Sequence, residues 1–146
     1  MSRIFVSEAT RAVIYVFAYD HCPPHIHARH RGENWIARVR FSYVDNEVGL
    51  ISIAPLKNVP LQRVLNELLD EIRARLIDCR RTWWTTRQTT CLVNQWAVAL
   101  AAGKIELRSE RTRAAKQIAD ASYDPAAERL CVTFRDGTTA EASGQP

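Results

Sequence analysis

The chain of 146 residues contains no apolar run near the roughly 18 residues that a membrane-spanning helix requires, so no membrane partner is expected. Met1-Ser2-Arg3 is not followed by an apolar stretch of the signal-peptide kind, and a cytoplasmic location is the expectation. The four cysteines, Cys22, Cys79, Cys91 and Cys131, lie far apart and form no Cys-x-x-Cys pair. That spacing argues against a zinc ribbon and against a disulfide framework, so reduced thiols are expected. Internal repeats and low-complexity segments are also lacking. What is present is 47% apolar content, enough for one core in a main domain with a small appendage, and a net charge of +4, which favours an anionic partner only weakly.

Histidine is scarce overall and concentrated in one place. All four fall in Asp20-His21-Cys22-Pro23-Pro24-His25-Ile26-His27-Ala28-Arg29-His30-Arg31. Pro-Pro fixes two successive φ angles and bars Cys22 from helix, so one extended segment ends near His21 and another opens at His25. If His25 to Arg29 run as a strand, His25 and His27 project from one face about 6.5–7 Å apart, a spacing suited to sharing a metal, a phosphate or a water. His30 has the wrong parity for that face. Histidines beside a turn are often mere surface residues or hydrogen-bond caps. Four together are a functional candidate, because histidine serves as acid, base or metal ligand near neutral pH.

Around this stretch the pattern predicts a short edge strand at 4–6, a β-rich run at 11–19, a turn at 31–34 in which Gly32 can take φ > 0, an alternating strand at 35–43 and a further strand at 48–53. Asn58-Val59-Pro60 reads as a helix start with Asn58 as cap. From Leu61 to Ile77, apolar residues recur every three or four positions, predicting one helix of about five turns. Its other face, which includes Glu67, Asp70, Glu71 and Arg73, reads as solvated surface. Arg80 to Arg87 carries adjacent Trp83 and Trp84, which cannot both face one core. One of them is expected at a surface, a subunit interface or a nucleic-acid face. A second short helix is expected after Cys91, stopped by Gly103 as a C-cap. Residues 104–108 read as a strand, and 118–142 as short strands with turns at Asp124-Pro125 and Asp136-Gly137. Such strands cannot fold alone, so they must extend the main sheet or pair with another chain.

The fold expectation is therefore α+β: an antiparallel sheet of about four strands packed on one long helix, with a second short helix and a C-terminal β-hairpin. The main domain is placed at 1–108, the hairpin appendage at 114–142 and a disordered tail at 143–146.

His21-Cys22-Pro23-Pro24-His25-Ile26-His27, followed by Gly32-Glu33, by strands and by a long helix entered at Pro60, resembles the small bacterial proteins grouped as domain of unknown function 4160, over residues 4–105. The segment from Leu76 to Cys91 is longer than is usual in that family. Ala119 to Glu141 resembles the opening hairpin of domain of unknown function 2442. These resemblances imply a component of toxin-antitoxin or regulatory type, encoded in bacterial operons and often on mobile elements. They bring no established reaction with them.

Two classes of function stay open. In the first, a nuclease or phosphodiesterase, His25 and His27 exchange protons with the reacting oxygens, Asp20 orients a histidine, and Arg29 or Arg31 neutralises the phosphate. In a metal variant, His21, His25 and His27 with Asp20 bind a divalent ion such as zinc. In the second, a regulatory or antitoxin-like module or an oligomeric interaction protein, the histidines build a rigid turn, and basic residues with Trp83 and Trp84 contact nucleic acid or a partner subunit. RNA or DNA, a cognate antitoxin or toxin, and a second copy of the chain are the expected partners.

Overall fold

Alternation in Trp35-Ile36-Ala37-Arg38-Val39-Arg40-Phe41 sorts the side chains by parity, and Trp35, Ala37, Val39 and Phe41 are all buried. In the computed structural model of the chain, residues 1–101 and 103–143 are described. They form an α+β architecture with two antiparallel five-stranded sheets and two helices.

The first compact unit comprises Met1–Ser42 and Glu47–Arg87. Its sheet is a meander of β1 (Ser2–Val6), β2 (Val13–Val16), β3 (His25–His30), β4 (Trp35–Phe41) and β5 (Val48–Ala54), neighbours in space in that order. One face carries Ile14, Val16, Ile26, Ala28, Ala37 and Val39, each with no exposed surface. Two helices, α1 (Gln62–Ala74) and α2 (Leu76–Arg87), supply the opposing apolar residues Leu65, Leu68, Ile72, Leu76 and Trp83. Each large side chain buried in this way contributes about 1.5–3 kcal/mol. At the turn before β4 it is Asn34, with φ 55°, that takes the left-handed conformation expected of Gly32.

The expected single helix is divided. Arg75 (φ −114°, ψ 24°) leaves the helical region, its guanidinium stacks over the Phe5 ring at 4.4 Å and its Nε donates to Asp78. The break lets α1 run against β5 while α2 runs against β1 and β2. Apolar spacing continues across the break, from Leu68 and Ile72 to Leu76 and Cys79, so periodicity alone could not register it. Asn58 does not cap α1. It closes a 3-10 turn (Leu56–Asn58) and its amide donates to the Asn34 carbonyl, while the N-cap position of α1 falls to Leu61.

The second unit comprises Tyr43–Asn46 and the chain from Gln88 onward. Where a second helix was expected stands β6 (Trp96–Leu100), paired with β7 (Lys104–Arg108) and with β8 (Lys116–Asp124). Gly103 (φ 69°) sits in the β6–β7 hairpin turn, a left-handed position that glycine fills as readily as a helix C-cap. β9 (Arg129–Phe134) and β10 (Thr139–Ser143) complete a sheet in the order β10-β9-β8-β6-β7. The C-terminal strands thus neither extend the first sheet nor stand as a lone hairpin; β6 and β7 give them the additional strands they need. Ser143, expected in a disordered tail, ends β10, and 144–146 lie outside the described residues. Among the described residues no helix is long and apolar enough to cross a membrane.

The expectation of four reduced cysteines is also corrected. Cys79 and Cys131 are free thiols, whereas Cys22 and Cys91 are each in the oxidised, disulfide-bonded form. A disulfide needs Cα atoms about 4.4–6.8 Å apart in space, and separation along the chain carries no information on that. Burial pushes the Cys79 thiol up to about 12, so it stays protonated at neutral pH.

Candidate functional site

The segment between β2 and β3 folds back on itself before β3 begins. Phe17 N–H donates to Asp20 Oδ2 at 2.8 Å and Asp20 N–H donates to the Phe17 carbonyl at 3.2 Å, closing a four-residue turn. The Cys22–Pro23 peptide is cis, and the Pro24 carbonyl accepts from Phe41 N–H at 3.0 Å, which seats the start of β3 against β4. His25 follows directly.

Asp20, His25 and His27 meet at this end of the sheet. His27 Nε2 lies 3.1 and 3.2 Å from the two Asp20 carboxylate oxygens, and His25 Nε2 lies 3.7 Å from Oδ1. One donor atom from each of the three residues falls within 4.8 Å of the other two. His25 Nδ1 donates to the Pro23 carbonyl at 2.8 Å, which turns Nε2 toward Asp20. Asp20 and His25 are 6% and 4% exposed. The His27 ring is held between the Tyr15 ring, stacked at 5.2 Å, and the edge of Phe17 at 5.0 Å. Burial lowers the His27 pKa from 6.5, against an upward pull from its hydrogen bond to Asp20.

The sequence-predicted residues divide here. His25, His27 and Asp20 are brought together. His21 is exposed and lies outside the three-residue group, so of the expected metal set only Asp20, His25 and His27 come together. His30, on the opposite parity, stacks on Trp35 and accepts from Glu33 N–H. Trp83 is wholly buried between His25 and Phe41, with ring centroids 5.4 and 6.3 Å away, and offers no surface for a base to stack on. Trp84 is half-buried.

Arg29 and Arg31 belong to a larger basic feature. Cross-strand register sets Arg3, Tyr15, His27, Arg38 and Ser52 in one row, with Arg29 beside Val13 and Ile36, and Arg40 beside His25. Residues directly opposite share a face. All four strand arginines therefore lie on the sheet face away from the helices, and β1 to β5 contain no Asp or Glu. A cavity of about 320 Å³ on this face is lined by Met1, Arg3, Val13, Tyr15, Arg29 and Arg31. Burial raises the Tyr15 pKa, with Arg29 pulling the other way.

Sequence reasoning missed Tyr15, Arg3, Arg38 and Arg40 as parts of this surface. The polar parity of the β4 strand was legible. Joining it to β1 and β2 required the strand order, which no local pattern contains. No protein-family model, curated protein or solved structure matches the chain, so the residues themselves carry the functional reading.

Proposed function

We propose that this protein acts on or binds nucleic acid, as a component of the toxin-antitoxin type that its His-x-Pro-Pro-His-x-His segment resembles, with phosphates held on the arginine face beside the Asp20/His25/His27 site. The observation that carries the reading is the position of Tyr15. Its ring stacks on His27 and also lines the cavity shared by Arg3, Arg29 and Arg31. A phosphate seated among those arginines is thereby one side chain away from a carboxylate-oriented histidine.

The chemistry that fits is phosphodiester cleavage. With its Nε2–H donated to Asp20, a neutral His27 keeps Nδ1 as its proton acceptor, and Asp20 stabilises the imidazolium that forms. The arginines offset the charge that develops on the phosphate. The test is growth of a bacterial host after induction of the wild type or of a soluble His25→Ala/His27→Ala variant, with RNA from the cells examined for cleavage. Arrest and cleavage by the wild type alone support the nuclease. Growth without cleavage in both removes it.

A second reading is favoured by the near-complete burial of Asp20 and His25, which suits a group that organises the β2–β3 loop. In it the arginine face binds nucleic acid without chemistry. RNA retention by both wild type and double variant, with no cleavage by either, is its signature.

A further inference from the structure

We infer that Asp20, His25 and His27 form a centre for a first-row divalent transition ion such as zinc, with two imidazole Nε2 atoms and one carboxylate oxygen as ligands. The inference shares its residues with the proposed function and does not depend on it.

Three observations carry it. The first is convergence: the separations of 3.1 Å for His27 Nε2 to Asp20 Oδ1 and 3.7 Å for His25 Nε2 to Asp20 Oδ1 bracket the expected spacing of two ligands. Bonds of about 2.0–2.1 Å in tetrahedral geometry place ligand atoms about 3.3 Å apart. All three donor atoms lie within 4.8 Å of one another, so the widest pair would close by up to about 1.5 Å around an ion.

The second is orientation. A ligating histidine almost always donates its other ring N–H to a carbonyl or carboxylate, which fixes both tautomer and direction. His25 does this through Nδ1 to the Pro23 carbonyl. Asp20 is steadied in turn by Phe17 N–H on Oδ2.

The third is the gap between two of the ligands. With Nδ1 turned to the Pro23 carbonyl, His25 aims Nε2 at Asp20 Oδ1 across 3.7 Å, too long for a hydrogen bond, in a site almost closed to water. A cation between them would bridge that gap. The nitrogen and oxygen donor set, with no thiolate, suits zinc and its first-row neighbours better than calcium or magnesium, which take oxygen ligands. Three protein ligands leave at least one position for water or substrate.

The experiment uses the full chain, stripped with chelator and titrated with Zn²⁺ by calorimetry, alongside Asp20→Asn, His25→Ala, His27→Ala and, for comparison, His21→Ala. Expected are one equivalent per chain in the wild type and in His21→Ala, and an affinity at least tenfold weaker in each of the other three. Should those three fail to fold, histidine ring signals of the wild type decide: Zn²⁺ should shift the rings of His25 and His27 and leave those of His21 and His30 in place. A folded wild type that binds well under one equivalent overturns the inference, as does an equal loss in His21→Ala or a shift centred on His21 or His30. Zinc binding by a protein that neither cleaves nor retains RNA keeps the inference and removes the proposed function. RNA cleavage by a protein that binds no zinc does the reverse.

Discussion

Tyr15 and His27, directly opposite one another on β2 and β3, hold their rings 5.2 Å apart and within 9° of parallel. Tyr15 is 3% exposed although it lies on the sheet face away from the helices, so this stacked pair forms a small apolar island among arginines. Tyr15→Ala removes that ring from a nearly closed site and is expected to cost about 3–4 kcal/mol in denaturant unfolding. Tyr15→Phe keeps the stack and should cost under about 1 kcal/mol. Equal losses in the two variants would shift the credit from the ring to the hydroxyl.

The arginine face should register as phosphate contacts. Three of its cations, Arg3, Arg29 and Arg31, surround one cavity. Replacing all three with glutamine should weaken binding to a single-stranded RNA. It should also reduce the dependence of log K on log salt by about 2, since each single-strand phosphate contact contributes about 0.7 to that slope. Filter binding across a salt series measures it. An unchanged slope would mean that RNA, if bound, lies elsewhere.

Glu71 shows where composition misleads. Its charged neighbours on α1 make it read as solvated surface, yet its carboxylate accepts from Ser7 Oγ at 2.7 Å, from Glu8 N–H at 2.7 Å and from Ala9 N–H at 3.4 Å. It ties α1 to the loop after β1. Glu71→Gln should lower stability by about 1–3 kcal/mol because a charge-assisted acceptor is exchanged for a neutral one. A surface substitution on the same helix, Glu67→Gln, should stay within about 0.5 kcal/mol. Equal denaturation midpoints for Glu71→Gln and the wild type would return Glu71 to the surface reading.

What was legible follows from range. The pairing of His25 with His27 needed only strand parity, and the Pro-Pro turn announced a reversal before them, so both were readable from ten residues. Asp20 could be named as a partner because it lies just ahead of the turn. The exclusion of His21 depended on the direction in which the turn closes, and the role of Tyr15 depended on register across β2 and β3. Residues 92–100 show the same limit. Leu92, Trp96, Ala99 and Leu100 fit a helical spacing, but 96–100 pair with β7 and 96–97 also with β8, and tertiary context prevailed over local pattern.

The β9–β10 turn supplies a pH test away from the histidines. Asp136 Oδ1 accepts from Thr138 N–H at 2.9 Å and from the Thr138 hydroxyl at 2.5 Å, and Oδ2 meets Lys116 Nζ at 3.0 Å. The hydrogen bonds from Thr138, with the Lys116 ammonium beside them, bring the Asp136 pKa down from 3.8 to about 2. A carboxyl group lowered in the folded state binds fewer protons there than in the unfolded chain. Its contribution is therefore fully present above about pH 4 and is lost as pH falls through 2. Asp136→Asn keeps an acceptor but loses the charge, so the variant should be less stable than wild type at neutral pH. The two unfolding curves should converge as acid protonates the wild-type carboxylate. Carbon-detected NMR titration of the Asp136 side chain gives the pKa directly, and an ordinary value near 3.8 would mean that the Thr138 and Lys116 contacts do not persist in solution.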